Sequence, residues 1–176
     1  ATLQIVFMRY FGHFLISARI LANDRVKIIE LFPKYLPLVI LRSLMLFGST
    51  ALQFIAFKSL PLSLTATIEF TAPIIVCVLS WPLLGEKVGL VRALSILIGF
   101  SGVVIIIQPF GTSFQPAVFI SLLGACCFAL YAILSRKLAG LVATDILQFY
   151  SGLIGSIIVF PFAIMFWESP QTFFDW

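Results

Sequence analysis

The sequence has 176 residues, of which 61% are hydrophobic and 10% are charged. A soluble domain has roughly 45–50% apolar and about 25% charged residues, and a fold this small leaves much of its surface exposed. The composition therefore argues against a soluble enzyme, a nucleic-acid-binding module, a disordered segment and a disulfide scaffold, and favours a protein embedded in a bilayer. The net charge of +4 is expected to reflect membrane topology, because the basic residues stand between apolar runs.

Six apolar runs are each long enough to cross the hydrocarbon as a helix, which takes about 20 residues. Polar or Gly- and Pro-containing breaks separate the runs, and strand-like alternation is absent. The sequence therefore predicts an all-α, polytopic bundle of transmembrane helices. The predicted spans are residues 3–21, 36–57, 62–84, 88–107, 117–134 and 146–166.

Basic residues are unevenly distributed over the connections between these spans. Nine of the 11 Lys and Arg residues stand in or next to one alternating set of connections, whereas Lys58 stands in the other set and Arg9 inside a span. Because excess Lys and Arg marks the cytoplasmic side, we expect the first span to run from outside to inside and the chain to end outside. Since Ala1 then lies at the outer face, we also expect at least one helix to precede it.

The first span carries Arg9, His13 and Ser17 at positions i, i+4 and i+8, which places them on one helix face. Lipid does not tolerate such a face, so we expect it to point into the bundle and to offer candidates for substrate or proton handling. The alternatives are that Arg9 extends to the outer headgroups and that His13 forms a hydrogen bond between helices. In the second span, we expect the Arg42 side chain to extend to the cytoplasmic headgroups.

The third span contains a carboxylate beside a predicted kink. Pro73 has no N–H to donate and clashes with the carbonyl four residues earlier, so the carbonyl of Glu69 loses its helical partner. Thr65 lies one turn away on the same face. Kinked helices of this kind often line transporter sites, so Glu69, Pro73 and Thr65 are candidates for substrate binding or proton coupling. The alternative is a structural kink with Glu69 protonated or paired to a neighbouring helix.

The later spans combine neutral polar and small residues. Gln53, Tyr131, Gln148 and Tyr150 could bind a ligand, although a hydrogen bond between helices is the commoner role. The sequence has one histidine, His13, and lacks zinc, haem and P-loop motifs. It therefore predicts no metal site, no cofactor and no enzymatic activity. Small residues at helical spacing predict close helix packing at Ser95, Gly99 and Gly102, at Ser121, Gly124 and Ala125, and at Ser151, Gly152, Gly155 and Ser156.

The stretch from Lys58 to Gly111 contains the strings LPLS, ATIEFTAP, LLGEK and GFSGVV, in that order. As a set these strings resemble the EamA-like permeases of the drug/metabolite transporter superfamily. The resemblance implies that Pro73 is the mid-membrane proline of one helix and Glu86 the glutamate of a tight cytoplasmic turn. It also implies that Gly99 and Gly102 are the paired glycines of the next helix.

The same resemblance implies a fold of ten helices in two inverted five-helix repeats. Residues 1–111 are then the first repeat without its first helix (helices 2–5), residues 112–176 begin the second repeat (helices 6–7), and helix 1 and helices 8–10 lie outside the sequence. The implied function is a secondary transporter, a permease or exporter that moves small metabolites across a bacterial-type inner membrane by alternating access. Lipids and a small-molecule substrate are the expected partners, nucleic acid is not, and proton coupling through Glu69 or His13 is a hypothesis.

Two alternatives belong to other functional classes. One is a non-transporting membrane scaffold, which needs no polar stripe in its spans. The other is a small dual-topology multidrug exporter, which should lack a charge bias between its two sides. The strong bias of Lys and Arg towards one side argues against the second alternative.

Overall fold

The computed structural model describes residues 2–23, 34–85, 89–107 and 115–165. These ranges contain α-helices joined by turns, and no strand occurs within them. The all-α fold that the sequence predicts is therefore confirmed. In chain order the helices are α1 (Thr2–Asn23), α2 (Leu36–Ala56), α3 (Leu62–Glu69), α4 (Ala72–Leu84), α5 (Leu90–Ile107), α6 (Ala117–Leu138) and α7 (Thr144–Met165).

The described helices have the length and composition of membrane spans. Within the described ranges, five segments are long and apolar enough to cross a bilayer, and they correspond to five of the six predicted spans. The remaining predicted span, 88–107, corresponds to α5, which has 18 residues. Large apolar side chains such as Ile16, Ile98 and Met165 are exposed, as expected where the surrounding solvent is lipid. The five segments are Gln4–Asn23, Leu36–Ala56, Leu62–Leu84, Ala117–Leu138 and Thr144–Met165.

Local sequence explains where several of these helices begin and end. Gly85 adopts a left-handed conformation with φ of 71° and donates its N–H to the carbonyl of Trp81, which closes α4. Arg136 and Lys137 lie in the last turn of α6, and Asp145 lies in the first turn of α7. Each of these charges is on the side that the helix dipole favours.

The chain divides into two compact units. Unit 1 comprises Ala1–Leu44 and Leu138–Trp176, and unit 2 comprises Met45–Lys137. Unit 1 thus contains α1, α7 and the first part of α2. Unit 2 contains the rest of α2, the helices α3, α4 and α5, and all of α6 except its last residue. The division into repeats at residue 111 concerns internal symmetry and stays a prediction.

In unit 1, α1 packs along α7 through the small residues of α7. A Cβ atom added at Gly152 would lie 2.6 Å from the backbone nitrogen of Phe14, and one added at Gly155 would overlap the ring of Tyr10. The Phe14 and Phe149 rings also meet, with centroids 5.3 Å apart. The packing predicted for the last span is therefore confirmed. A buried cluster extends the core of this unit: Leu21, Val39, Leu138, Val142, Ile146 and Leu147.

In unit 2, α5 contacts both halves of the third span, α3 and α4. A Cβ atom added at Gly99 would lie 3.0 Å from Cδ1 of Ile74, so this glycine allows close contact between α4 and α5. At Gly102, no described atom lies within 4 Å of such an atom. The prediction of close packing is thus confirmed at Gly99 and stays a prediction at Gly102. The core of this unit is formed by Ala56, Leu60, Ile68 and Val118.

Candidate functional site

The polar stripe of α1 faces α7 within unit 1. The side chains of His13 and Gln148 share a hydrogen bond, which is the bond between helices that the sequence left open for this histidine. Arg9 is exposed, and its guanidinium carbon lies 5.8 Å from the centroid of the Tyr10 ring. Ser17, one turn beyond His13, is buried. The stripe therefore forms part of the interior of this unit, with Arg9 at its exposed end.

Arg42 corrects the sequence-based expectation most clearly. Its side chain is only 3% exposed, so it does not extend to the headgroups. Its Nη1 atom donates one hydrogen bond to the carbonyl of Leu147 (3.0 Å) and one to Oγ of Ser151 (2.9 Å). The prediction failed because α7 presents hydrogen-bond acceptors that hold the guanidinium in the interior of the unit.

Serine side chains complete the surroundings of this guanidinium. Ser43, the next residue on α2, has its Oγ 3.3 Å from Oγ of Ser151 and also donates to the carbonyl of Val39. Ser151 donates in turn to the carbonyl of Leu147, four residues back on α7. Arg42 and Arg9 both act electrostatically on His13, so their positive charges lie near this imidazole. We call Arg9, His13, Arg42, Gln148 and Ser151 the cationic cluster.

In unit 2, the third span is interrupted in its middle, as the sequence predicts. α3 ends at Glu69, and α4 begins at Ala72 with Pro73 in its first turn. Between them the backbone N–H and the hydroxyl of Thr71 both donate to the carbonyl of Ile68, at 2.9 and 2.6 Å. Hydrogen bonds to the carbonyl three residues earlier, as in a 3₁₀ turn, thus replace the α-helical pattern just before Pro73, which has no backbone N–H to donate.

The candidates around this interruption have different environments. Glu69 is half-buried at the end of α3, and Pro73 is exposed. Thr65 is fully buried, and its hydroxyl donates to the carbonyl of Pro61 in the preceding turn. Of the two carboxylates in the described helices, Asp145 lies in the first turn of α7 and only Glu69 lies mid-span. This position keeps Glu69 as the candidate for proton handling.

Gln53 lies at a contact between α2 and α6 within unit 2. Its side chain is 6% exposed, and neither its amide nitrogen nor its amide oxygen has a hydrogen-bond partner among the described residues. A Cβ atom added at Gly124 would lie 3.4 Å from this amide nitrogen, so the glycine faces the carboxamide. Ser121, one turn earlier on α6, is fully buried, and its hydroxyl also lacks a partner in the described part of the chain.

Two sequence-based candidates remain, Tyr131 and Glu86. Tyr131 is half-buried on α6, where its ring lies 5.8 Å from that of Phe128 and its carbonyl accepts a hydrogen bond from Ser135. Glu86 lies outside the described residues. Within the described ranges, no group of three or more His, Cys, Asp or Glu side chains is placed to hold a metal ion.

Two residues of the cationic cluster were not site candidates in the sequence. Arg42 was assigned to the membrane surface, and Ser151 was assigned to packing alone. The signal that could have found Ser151 is its spacing from Gln148, because positions i and i+3 share one face of α7. Two polar residues on the face that also carries Gly152 and Gly155 indicate that this face meets another polar helix.

Apolar helices with an internal arginine and an interrupted span define a multi-pass membrane protein with polar groups held between its helices. The chain belongs to the EamA-like transporter family, whose family model matches residues 1–108. The predicted membership of the drug/metabolite transporters is thereby confirmed. No solved structure shows a significant match to the chain.

Curated relatives carry transporter names. The chain is 25% identical over 134 residues to the S-adenosylmethionine uptake transporter of Rickettsia prowazekii, covering 76% of this chain and 46% of the relative. It is 37% identical over 97 residues to an uncharacterized transporter in the sor 3'region of Acidianus ambivalens, covering 54% of this chain and 38% of the relative. It is 32% identical over 82 residues to the uncharacterized transporter YvbV of Bacillus subtilis, covering 47% of this chain and 26% of the relative. The chain thus spans about half the length or less of these relatives.

Proposed function

We propose that this protein is a secondary transporter that moves a small polar metabolite across a bacterial-type inner membrane by alternating access. The observation that carries the proposal is the buried guanidinium of Arg42, held by Ser151 and the carbonyl of Leu147 inside apolar helices. A charged side chain buried inside a span is costly, and such residues usually mark a substrate or ion pathway. A non-transporting scaffold does not need such a buried charge.

The cationic cluster supports a substrate that carries an anionic group. Two guanidinium groups act on the region of His13, and a guanidinium binds carboxylates through short charge-assisted hydrogen bonds. Ser151 and Leu147 hold the Arg42 side chain in one orientation, which reduces the entropy lost on binding.

The names of the relatives suggest which metabolite to test first. S-adenosylmethionine has a carboxylate at its amino-acid end, a positively charged sulfonium and an adenine base. We propose S-adenosylmethionine, or a metabolite with the same polar groups, as the substrate. The test is the uptake of radiolabelled S-adenosylmethionine into proteoliposomes that contain the full-length protein. Saturable uptake supports the proposal, and uptake equal to that of protein-free liposomes contradicts it.

Glu69 is proposed to couple this transport to protons. A mid-span carboxylate at the end of a half-helix can change its protonation as the surrounding helices rearrange. In Glu69→Gln we expect a pH gradient imposed across the liposome membrane to stop accelerating uptake, because the amide cannot carry a proton. Initial uptake rates with and without the gradient measure this effect.

The matched variant for this experiment is Glu69→Asp, which keeps the carboxylate and should keep most of the response to the gradient. Thr67→Val controls for general damage to α3, because the Thr67 hydroxyl bonds only within its helix, to Ser63. An unchanged response to the gradient in Glu69→Gln would eliminate coupling through this residue.

A further inference from the structure

The carboxamide of Gln53 is a buried polar group that the packing of unit 2 leaves unsatisfied. Its nitrogen and oxygen both lack hydrogen-bond partners among the described residues, although only 6% of the residue's surface is exposed. Such a group costs free energy when it is removed from water without a hydrogen bond, and in a membrane interior no water replaces the missing partner. A residue of this kind is expected to acquire a partner in another state of the protein.

The α6 surface opposite this carboxamide has two features of a binding site. Gly124 faces the amide nitrogen of Gln53 and presents no side chain that could bond to it, since a Cβ atom there would lie 3.4 Å away. Ser121, on the same face of α6 one turn earlier, has a fully buried hydroxyl without a partner in the described ranges. Gln53 thus faces the side of α6 that carries Ser121, and the polar side-chain atoms of both residues lack partners among the described residues.

Gln53 differs in this respect from other polar residues in unit 2. Thr65 donates to Pro61, Ser80 donates to Cys77 and Ser95 donates to Val91, so each hydroxyl is satisfied by its own helix. The side chain of Gln53 is too long to be satisfied in that way, and no described side chain of α6 compensates. Within the described residues of unit 2, buried polar side-chain atoms without a partner are therefore confined to Gln53 and Ser121.

From this arrangement we propose that Gln53 and Ser121 bind the hydrogen-bonding edge of an aminopurine base. A carboxamide presents a donor beside an acceptor, and its complement is a flat group that presents an acceptor beside a donor. Adenine offers this pair through a ring nitrogen and its exocyclic amino group, which glutamine binds with two hydrogen bonds. The choice of adenine rests on the proposed function, and the geometry of the donor and acceptor rests on the structure.

The test uses adenosine, which has the base but no carboxylate and so reports on this site without the cationic cluster. Adenosine should raise the melting temperature of the purified full-length protein, whereas purine riboside, which lacks the exocyclic amino group, should not. In Gln53→Leu and in Ser121→Ala, the adenosine concentration needed for half of the shift should rise at least about tenfold, as expected for loss of a specific hydrogen bond. Ser95→Ala is the matched control and should respond as the wild type does, because Ser95 is satisfied within α5.

A second readout separates binding from a structural role. If Gln53 awaits a ligand, Gln53→Leu without adenosine should melt at the wild-type temperature or above it, because an unsatisfied amide is removed. A lower melting temperature for Gln53→Leu, with adenosine affinity unchanged in Ser121→Ala, would overturn the proposal. So would an equal response of the wild type to adenosine and purine riboside.

Failure of this site and failure of the proposed function remain distinguishable. If adenosine binds through Gln53 but S-adenosylmethionine is not taken up, the proposed substrate is wrong and the site stands. If S-adenosylmethionine is taken up equally well by the wild type and by Gln53→Leu, and adenosine gives no shift in either protein, the site is wrong and the transport function stands.

Discussion

Replacing Arg42 with methionine is expected to raise the KM for substrate uptake by about 10- to 150-fold, without unfolding the protein. The increase corresponds to the loss of one charge-assisted hydrogen bond, worth about 1.5–3 kcal/mol. Stability should be preserved because Ser151 remains satisfied by its bond to the Leu147 carbonyl, so the substitution leaves no buried hydroxyl without a partner. Methionine also fills a similar volume and removes the cost of a buried charge.

Arg19→Met is the matched control for this prediction, because Arg19 is an exposed arginine on α1. Uptake by this control should be close to that of the wild type. Arg42→Lys should give an intermediate KM, since lysine keeps the charge but lacks the planar fork of donors. The prediction would be contradicted if Arg42→Met kept the wild-type KM, or if its loss of uptake came with a large fall in melting temperature, which would indicate a structural role alone.

Replacing Gly152 with alanine should destabilise the protein by about 1–3 kcal/mol, the usual effect of overpacking a tight contact. The added Cβ would lie 2.6 Å from the nitrogen and 2.7 Å from the Cα atom of Phe14. Both are backbone atoms, so no rotation of a side chain relieves the overlap and α1 must move away from α7. Thermal unfolding in a lipid nanodisc measures the effect as a lower melting temperature.

The same substitution at an open glycine shows whether this effect is specific. Gly12→Ala lies on α1 and Gly102→Ala on α5, and neither added methyl has a neighbour within 4 Å among the described residues. Both variants should melt close to the wild-type temperature. Equal melting temperatures for Gly152→Ala and Gly12→Ala would mean that the close contact between α1 and α7 is not the source of stability inferred from the structure.

Features of the chain that depend on neighbouring residues along the sequence were predicted well. The spans follow from uninterrupted apolar runs, which set the length of each helix without reference to any other. The interruption of the third span was predicted from Pro73, which removes a donor and clashes with the carbonyl four residues earlier. Pro82 and Pro161 lie inside helices that continue past them, so a proline does not by itself fix where a span is interrupted. The position of Glu69 beside that interruption was therefore visible in the sequence.

Features that depend on the facing helix could not be predicted in the same way. Whether Arg42 extends to the headgroups or stays inside depends on acceptors such as Ser151, which is 109 residues away in the sequence. Likewise, Gly99 and Gly102 are equally small, but among the described residues a close neighbour, Ile74, is found for Gly99 and none for Gly102. The sequence contained Gln53 as a candidate, yet its missing partners became visible only once Gly124 was placed opposite it.

Counterflow tests the proposed transport mechanism most directly. Proteoliposomes containing the full-length protein are preloaded with unlabelled S-adenosylmethionine and diluted into a trace of labelled substrate without any ion gradient. Alternating access predicts a transient accumulation of label above its equilibrium level, reduced strongly in Arg42→Met and retained in Glu69→Gln and Arg19→Met. Label that never exceeds the level in protein-free liposomes, or that accumulates equally in Arg42→Met, would contradict a transport pathway that depends on the cationic cluster.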